Sequence, residues 1–306
     1  MERHSKIYVA GHRGLVGSSL VRRLKMDGYT NLLLKTHDDL DLLDQSAVRN
    51  FFAEERPEFV FLAAAKVGGI FANKNKKAEF IYENTQIQNN VIHSAWQFNV
   101  KKLLFLGSSC IYPKLCPQPI KEEYLLTGAL EETNDAYALA KISGIKMCQS
   151  FNDQYGTNFI SIMPTNLYGQ NDNFDVESSH VLPAMIRKFH DAKMSGAKEV
   201  VLWGTGLPRR EFLHVDDLSI ASVFLMNTYD KSEIINIGTG EDISIRALAN
   251  LIRQIVGFEG DIVWDETKPD GTPRKCLNVD KIHALGWKHS ISLESGVQDT
   301  YQWFSQ

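Results

Sequence analysis

The sequence predicts an α/β fold: a doubly wound parallel sheet with a smaller α/β substrate domain towards the C-terminus. Short apolar segments of strand type alternate with amphipathic helical segments through the first half of the 306 residues. A glycine-rich turn joins the first of these strands to the first helix. Beyond residue 169 the pattern becomes rich in loops, with only short strand candidates. Alternating β and α elements favour parallel strand pairing with helices on both faces of the sheet.

The first half contains the elements of the sheet, in chain order. Runs of four or five apolar, β-branched or aromatic residues predict strands, whereas apolar residues recurring every three or four positions predict helices. The predicted strands are Ile7–Ala10, Leu32–Lys35, Phe59–Ala63, Leu103–Gly107 and Phe159–Met163. The predicted helices begin at Gly14, near Ser46 (to Glu55), at Ala78 (to Asn99) and at Tyr137 (to about Tyr155). We therefore predict a dinucleotide-binding domain over residues 1–168.

The second half is expected to form the smaller domain. Its predicted helices and strands are Ser179–Ser195, Val200–Leu202, Glu211–Leu213, Ile234–Ile237, Ile243–Val256 and Ile262–Trp264. The helical segment His214–Tyr229 is expected to return to the first domain. The substrate domain would then consist of residues 169–213 and 239–306, with 214–238 belonging to the first domain. The sequence shows no internal repeat and no low-complexity segment.

Composition excludes several classes of protein. A formal charge of −4, without a polybasic tract, argues against nucleic acid or an acidic membrane surface as the main partner. No run of about 18 apolar residues predicts a membrane span, and the first residues lead into a strand, so we expect a cytoplasmic protein. The four cysteines lack the spacing of a disulfide framework or a zinc site, so we expect free thiols and no metal.

The glycine-rich turn, Gly11-His-Arg-Gly14-Leu-Val-Gly17, predicts a dinucleotide site of the Rossmann type. It stands between a strand and a helix, where a pyrophosphate can approach the amides of the helix N-terminus. The alternative is a tight turn that binds no ligand.

The pair Tyr137 and Lys141 predicts redox chemistry. Residues four apart share one face of a helix, so the phenol and the ammonium can point into one pocket. The cation is expected to lower the pKa of the phenol towards neutrality, and the phenol can then protonate an alkoxide. Ser108 can hold the same oxygen during hydride transfer from a nicotinamide, although the sequence leaves Ser109 as an alternative. An isolated Y-x-x-x-K pattern also occurs by chance in many helices.

These motifs, with several others, resemble the extended short-chain dehydrogenase/reductases that act on nucleotide sugars. The resemblance covers nearly the full chain. Its most specific segments resemble the fucose-forming branch of that family and are Ser108–Pro113, Ser179–Val181 and Lys268–Lys275. Further matching segments are Met163–Gly169, Arg210–Asp217 and Asn236–Gly240.

The resemblance implies two sets of catalytic residues. Ser108, Tyr137 and Lys141 would reduce a ketone, with Tyr137 donating a proton to the C4 oxygen. Cys110 would deprotonate and His180 reprotonate the sugar at C3 and C5. The chemistry is consistent, because a carbon next to a ketone loses a proton as charge moves to the ketone oxygen. The alternatives are a buried cysteine acting as a small apolar residue, and a histidine that is exposed or caps a helix.

The resemblance also implies the residues that bind the cofactor. They are Gly11, His12, Arg13, Gly14, Leu15, Val16, Gly17, His37, Leu106, Gly107, Ser108, Ser109, Lys141, Pro164, Thr165, Asn166, Leu167 and His180. We expect NADP(H) rather than NAD(H), because the second strand ends in Lys35-Thr36-His37 and Arg13 is nearby, whereas NAD-binding sites have an acid there. The family often has arginine at the position of His37, and Asp38 and Asp39 would permit some use of NADH. Simple surface exposure is the alternative for Arg13 and His37.

The diphosphate and sugar of the substrate require cations and an aromatic or amide surface. The resemblance implies that the substrate-binding residues are Lys188, Trp203, Arg210, Asp270 and Lys275. Lys188 stands where many relatives have arginine, which retains the charge but loses bidentate phosphate binding. The alternatives are solvated charges and, for Trp203, a core aromatic residue.

The implied reaction is the NADPH-dependent 3,5-epimerisation and 4-reduction of GDP-4-keto-6-deoxy-D-mannose to GDP-L-fucose. The first alternative is the same chemistry on another GDP-4-keto sugar, such as a heptose. A cofactor-binding regulator or scaffold is a second, although the intact triad argues against it. A 4-epimerase of the UDP-glucose type is a third, but it has no evident use for Cys110 with His180. The family also implies a homodimer, joined through the helices at 78–99 and 136–155.

Overall fold

The computed structural model describes residues 1–176, 178–268 and 270–306. The strands of these residues are β1 (Ile7–Ala10), β2 (Leu32–Leu33), β3 (Phe59–Leu62), β4 (Lys102–Leu106), β5 (Phe159–Pro164), β6 (Asn166–Tyr168), β7 (Glu199–Trp203), β8 (Arg209–Arg210), β9 (Phe212–His214), β10 (Ile235–Ile237), β11 (Ile243–Ser244), β12 (Asp261–Asp265) and β13 (Arg274–Lys275). The α-helices are α1 (Leu15–Met26), α2 (Gln45–Glu55), α3 (Ile70–Asn75), α4 (Lys77–Gln97), α5 (Asp135–Tyr155), α6 (Val181–Ser195), α7 (Val215–Thr228), α8 (Ile245–Val256), α9 (Asp280–Ala284) and α10 (Leu293–Phe304).

The largest sheet has six strands, all parallel, in the order β10-β5-β4-β3-β1-β2. The residues of β4 and β5 are all buried, as expected for central parallel strands covered on both faces. The surrounding helices form two contacting groups, α1 with α7 and α2 with α4 and α5. The predicted α/β class with a doubly wound parallel sheet is confirmed.

The second strand is shorter than predicted. Only Leu32 and Leu33 pair with β1, whereas the sequence predicts a strand to Lys35. A turn begins directly afterwards, because the Asp39 carboxylate accepts hydrogen bonds from the backbone N–H and the hydroxyl of Thr36. Local side-chain bonds of this kind compete with strand pairing.

The other strands form small sheets next to the large one. Strand β7 pairs with β12 and β6 pairs with β9, both in parallel. Strand β8 lies between β11, which is antiparallel to it, and β13, which is parallel. The sequence predicts neither β6, β8 nor β13, because these strands have only two or three residues and include polar or charged side chains.

Two clusters of buried apolar side chains accompany these elements. One contains the residues of the six-stranded sheet and of α7. The other is formed mainly by α6, α8, β7 and the residue Val297 of α10. The division into residues 1–168 with 214–238, and 169–213 with 239–306, stays a proposal that these clusters support. No helix in the described ranges is long and apolar enough to cross a membrane.

Candidate active site

The glycine turn lies at the carboxyl ends of the parallel strands, where β1 leads into α1. Gly11 has φ +82°, and a Cβ there would lie 2.8 Å from the Cα of Ala64, in the loop after β3. A Cβ on Gly17 would lie 2.1 Å from the carbonyl oxygen of Gly11. On Gly14 it would meet only that same oxygen, at 3.6 Å. Two glycines are therefore required by packing, whereas the third leaves open space at the start of the helix.

That open space fits a diphosphate. Gly14 is the N-cap of α1 and supplies no side-chain cap, and the first turn of the helix has no acidic residue. The first amides of a helix lack internal partners and carry a partial positive charge, so they attract anions. His12 and Arg13 lie in the same turn, Arg13 is exposed, and the Nδ1 of His12 is buried without a hydrogen-bond partner. Burial, and then Arg13, lower the pKa of His12.

The loop after β2 contains Lys35 and His37, together with Asp38, Asp39 and Asp41. His37 is exposed, and its Nδ1 lies 3.8 Å from a carboxylate oxygen of Asp41. Asp39 is held in its own turn by Thr36, whose hydrogen bonds lower the pKa of the carboxyl, and Lys35 and Arg13 lower it further. One oxygen of Asp39 is therefore already bound by Thr36, whereas Asp38 is exposed.

Ser108 and Tyr137 face each other across the end of β4. Ser108 caps a short 3₁₀ helix at Ser109–Ile111, where its Oγ accepts a hydrogen bond of 3.2 Å from the Cys110 amide. Tyr137 lies in the first turns of α5 and packs edge-on against Phe80, with ring centroids 6.3 Å apart. The Ser108 hydroxyl acts on the phenol and favours its ionised form. The two residues predicted to hold one substrate oxygen are thus brought together.

Lys141 lies one turn further along α5 and is buried. Its Nζ donates a 2.7 Å hydrogen bond to the carbonyl oxygen of Leu106 and lies 5.8 Å from the centre of the Tyr137 ring. Burial disfavours the ammonium form and lowers the pKa of Lys141 to about 7.

One prediction about this pair is wrong for the protein alone. The sequence predicts that Lys141 lowers the pKa of the Tyr137 phenol. Instead burial, and then the neighbouring Cys110, raise that pKa above its usual value, and Ser108 offsets only part of the increase. The physical reason is desolvation, which penalises phenolate and ammonium alike. Tyr137 is consequently a protonated group at neutral pH, with a proton to donate.

Cys110 follows Ser108 by two residues and contacts a cation. The Lys275 Nζ donates to its Sγ over 3.6 Å. Burial alone would raise the pKa of the thiol, but Lys275, Ser108 and Arg210 together outweigh burial, so this pKa lies below the usual range. The site therefore favours a thiolate more than water does.

His180 is the N-cap residue of α6 and closes the site from the C-terminal half of the chain. The preceding loop is tied to the first half, because the carbonyl oxygen of Ser178 accepts a 2.8 Å bond from the Gly69 amide. The imidazole is accessible yet lies in a crowded cleft. Loss of solvation, and then Lys275, lower its pKa.

Arg210 and Lys275 are adjacent across the β8–β13 pair, so both cations reach the Cys110 side of the sheet. Their neighbours Arg209 and Arg274 face the other way and share the carboxylate of Asp242. Successive side chains of a strand alternate in direction, which explains this division. Sequence reasoning assigned no role to Asp242.

Trp203 forms a second group with cations. Its side chain is 59% exposed, and the Nζ atoms of Lys188 and Lys268 each lie 5.7 Å from its ring centre. Nearby, Asp270 accepts 2.7 Å hydrogen bonds from the amide and hydroxyl of Thr205. An exposed indole next to ammonium groups can stack on a base or sugar while the cations bind phosphate. Sequence reasoning missed Lys268, although it stands in a segment that carries the resemblance.

The remaining predicted cofactor residues, Pro164 to Leu167, connect β5 to β6. The Thr165 hydroxyl and the Asn166 amide both donate to the backbone oxygen of Glu211. The carboxylate of Glu211 is itself fully buried and accepts backbone hydrogen bonds from Thr239, Gly240 and Leu277. Sequence reasoning did not single out Glu211; an acid within the matching segment Arg210–Asp217 was the available signal. In the described part of the chain, no group of three or more His, Cys, Asp or Glu side chains could hold a metal ion.

Comparison with known proteins decides the family. Residues 7–238 match the model of the NAD dependent epimerase/dehydratase family. The chain belongs to this family. Among the most similar members with curated descriptions is GDP-L-fucose synthase 1 of Arabidopsis thaliana, which is 60% identical over 303 residues, covering 99% of this chain and 94% of the relative.

Two solved structures of NAD dependent epimerase/dehydratase relatives superimpose closely. A GDP-6-OMe-4-keto-L-xylo-heptose reductase from C. jejuni has a TM-score of 0.95 and 44% identity, covering 100% of this chain and 99% of that one. A GDP-L-fucose synthetase from Naegleria fowleri bound to NADP has a TM-score of 0.92 and 30% identity, covering 100% of this chain and 95% of that one.

Proposed function

We propose that this protein converts GDP-4-keto-6-deoxy-D-mannose to GDP-L-fucose by 3,5-epimerisation followed by NADPH-dependent 4-reduction. The observation that carries the proposal is that the hydroxyls predicted for the reduction and the thiol predicted for the epimerisation lie at one place. The Ser108 and Tyr137 hydroxyls face Cys110 and its cation Lys275. The 60% identity to a GDP-L-fucose synthase over nearly the whole chain supports the same activity.

In the epimerisation, Cys110 removes the proton from C3 or C5 of the keto sugar. The electron pair moves into an enolate whose negative charge rests on the C4 oxygen. Ser108 and Tyr137 stabilise that oxygen, because hydroxyl donors aimed at a developing oxyanion favour it over the neutral ketone. His180 returns a proton to the opposite face of the carbon.

In the reduction, the same two hydroxyls hold the C4 oxygen. NADPH, when bound, would supply the hydride for C4. Tyr137, which burial keeps protonated, then gives its proton to the oxygen. Lys141, whose Nζ donates to the Leu106 carbonyl oxygen, would contact the nicotinamide ribose. One oxyanion site therefore serves both half-reactions.

The cofactor is NADP(H). Its diphosphate would lie on the amides of α1, and its 2′-phosphate near Arg13 and His37, where Asp39 is occupied by Thr36. The other residues assigned to it line the ends of β4 and β5 and the start of α6. An NADP complex of a structural neighbour supports this cofactor.

The GDP-sugar would bind between the two clusters of cations. Arg210, Lys275 and Lys188 would contact the diphosphate and sugar, and Trp203 and Asp270 would make the remaining contacts. This assignment is supported by the exposed Trp203 ring, which lies beside the cations of Lys188 and Lys268.

A second candidate is the same chemistry on another GDP-4-keto sugar. The close structural neighbour that acts on a GDP-keto-heptose favours it, although its identity of 44% is lower than the 60% of the fucose-forming relative. A direct comparison of the two keto sugars as substrates separates the candidates, since the higher kcat/KM identifies the class of sugar.

We further propose a homodimer formed through the outer faces of α4 and α5, as the family resemblance implies, and a cytoplasmic location. Exposed apolar side chains on these helices support the dimer; they are Ile81, Tyr82, Leu139 and Tyr155. Cell fractionation tests the location.

The proposed activity is tested by incubating the purified protein with GDP-4-keto-6-deoxy-D-mannose and NADPH in deuterated water. The expected product is GDP-L-fucose carrying deuterium at C3 and C5, identified by mass and proton NMR. A product reduced at C4 without deuterium at C3 and C5 would overturn the epimerase roles of Cys110 and His180. Absence of any product from this sugar, with turnover of the heptose, would favour the second candidate.

A further inference from the structure

The cations around Cys110 are arranged by strand pairing. Lys275 lies opposite Arg210 in the β8–β13 register, and the Lys275 Nζ is 3.6 Å from the Cys110 Sγ. The alternate residues on these strands, Arg209 and Arg274, bind Asp242 on the other face. The Asp242 carboxylate thus neutralises the outer cations, Arg209 and Arg274. The inner cations, Arg210 and Lys275, are left facing the Cys110 thiol.

Lys275 has no acidic partner within 4.0 Å among the residues that the structure describes, whereas other lysines near the site do. Lys114, which lines the same small cleft beside Cys110, is paired with Glu131 at 3.0 Å. Lys66 is paired with two glutamates. An ammonium without a carboxylate, next to a sulfur, is neutralised best by a thiolate.

The other groups that act on the thiol are a hydroxyl, a phenol and a second cation. Ser108 and Arg210 favour the ionised sulfur, and the Tyr137 phenol stays protonated beside it. The largest charges acting on the sulfur are the cations Lys275 and Arg210. Glu131 lines the same cleft, but its carboxylate is paired with Lys114 at 3.0 Å.

We propose that Cys110 and Lys275 form a thiolate–ammonium pair in the resting protein, and that Lys275 is a catalytic residue of the epimerisation in addition to binding substrate. The catalytic role of Lys275 rests on the proposed function. The existence of the Cys110–Lys275 pair does not depend on it. The thiolate accepts the proton from C3 or C5 as the C–H bond breaks, and the electron pair passes to the C4 oxygen. The ammonium keeps its own protons and loses its anionic partner, so it is free to stabilise the enolate.

The resting pair is tested by the rate at which iodoacetamide alkylates Cys110 as a function of pH, followed by mass spectrometry of the Cys110 peptide. Only the thiolate reacts, so the midpoint of the profile reports the ionisation of the thiol. Lys275→Met is expected to move the midpoint upward by about one pH unit, which lowers the rate at neutral pH roughly tenfold. Lys275→Arg is expected to keep the midpoint within a few tenths of a unit.

Lys114→Met is the matched control, because it removes a lysine from the same cleft that already has a carboxylate partner. Its alkylation profile is expected to match the wild type. An unchanged midpoint in Lys275→Met, in protein that melts and binds NADPH like the wild type, would overturn the pair. If Lys275→Met does not fold, the Lys275→Gln protein provides the same comparison.

The catalytic role is tested separately by solvent exchange. With NADP⁺ in place of NADPH, deuterium incorporation at C3 and C5 is expected to fall at least tenfold in Lys275→Met and to be largely restored in Lys275→Arg. A shifted alkylation profile without any exchange in the wild type would refute the proposed function while leaving the pair intact. Normal exchange in Lys275→Met would refute the catalytic role.

Discussion

At the scale of single residues, burial decides the protonation state of the reductase pair. Tyr137 keeps its proton because the phenolate would lose solvation, and Lys141 is pushed towards its neutral form for the same reason. The two effects are complementary, since an uncharged lysine provides no field to deprotonate the phenol. The protein without cofactor therefore holds the proton on the residue that has to donate it.

Replacement of Tyr137 by Phe is expected to separate the two half-reactions. NADPH oxidation should fall by a factor of 10² or more, because a positioned acid contributes about that much. Deuterium exchange at C3 and C5 should persist at a reduced rate, since Ser108 still contacts the C4 oxygen. Tyr112→Phe is the control, because that buried hydroxyl donates only to Asn236. Loss of exchange equal to the loss of reduction would contradict the division of roles.

The buried Lys141 predicts a characteristic pH dependence of stability. The pKa of Lys141 is about 7 in the folded protein, whereas in the unfolded chain it is that of an ordinary lysine. At a pH between these two pKa values, the unfolded chain therefore binds one more proton than the folded protein. Stability contributed by this residue then rises with pH. In the cofactor-free protein, the Tm of the wild type relative to Lys141→Met should increase from pH 7 to pH 10. A difference that stays constant or falls would show that Lys141 remains charged when buried.

The sequence predicts which of these residues meet, but not how they titrate. The spacing of Tyr137 and Lys141 places them on one helical face, and a helix is regular enough for that prediction. The sign of the effect on the phenol depends on burial by Phe80 and other distant segments, which spacing does not reveal. The contact of Cys110 with Lys275 is equally hidden, because it joins residues 165 positions apart.

At the scale of elements, the short strands hold the polar part of the site. Strands β8 and β13 contain only Arg209–Arg210 and Arg274–Lys275, so neither apolar pattern nor length predicts them. The two strands pair because Asp242 neutralises the outer cations, Arg209 and Arg274. Burial alone would raise the pKa of the Asp242 carboxyl, but the hydrogen bonds and charges of the two arginines lower it. By contrast, the apolar strand β5 was predicted from its sequence almost to the residue.

The glycine turn offers a paired test at this scale. Gly17→Ala would place a methyl group 2.1 Å from a backbone oxygen, so we expect a loss of stability of about 3 kcal/mol together with loss of NADPH binding. Gly14→Ala has ordinary backbone angles and meets no close atom, so its Tm should stay close to the wild type. Its methyl group enters the proposed diphosphate space, and NADPH affinity should fall at least tenfold.

Thermal melting and NADPH fluorescence titration measure the two effects independently. Equal loss of stability in both variants would contradict the packing explanation. Unchanged NADPH affinity in Gly14→Ala would show that the diphosphate lies elsewhere.

At the scale of the whole molecule, the chain crosses between its two hydrophobic clusters more than once. It leaves the large sheet after β5, contributes α6 and β7 to the second cluster, and returns with α7 and β10. Residues from both halves thereby meet at the site: Cys110 and Tyr137 from the first, His180 and Lys275 from the second. Sequence alternation predicts the sheet, and the helical pattern of 214–229 predicts the return, but the contacts between the halves require the fold.

The exposed faces of α4 and α5 predict the oligomeric state. Tyr82 and Leu139, in the first two turns of α4 and α5, are 66% and 48% exposed, which is high for such large side chains. We expect the wild type to have the mass of a dimer by light scattering. The double variant Tyr82→Glu/Leu139→Glu should be a monomer that still binds NADPH, because both side chains are exposed and neither residue is assigned to the cofactor. A monomeric wild type would refute the proposed dimer.

The late return of β10 also has a consequence for the growing chain on the ribosome. Strand β5 is complete at Pro164, yet its neighbour β10 begins only at Ile235. Throughout the synthesis of the intervening segment, the edge of the mainly apolar strand β5 that later pairs with β10 has no strand beside it and can pair with another nascent chain. Slow translation over residues 165–234 would lengthen that exposure, so the yield of native protein should depend on elongation rate and on chaperones that cover strand edges.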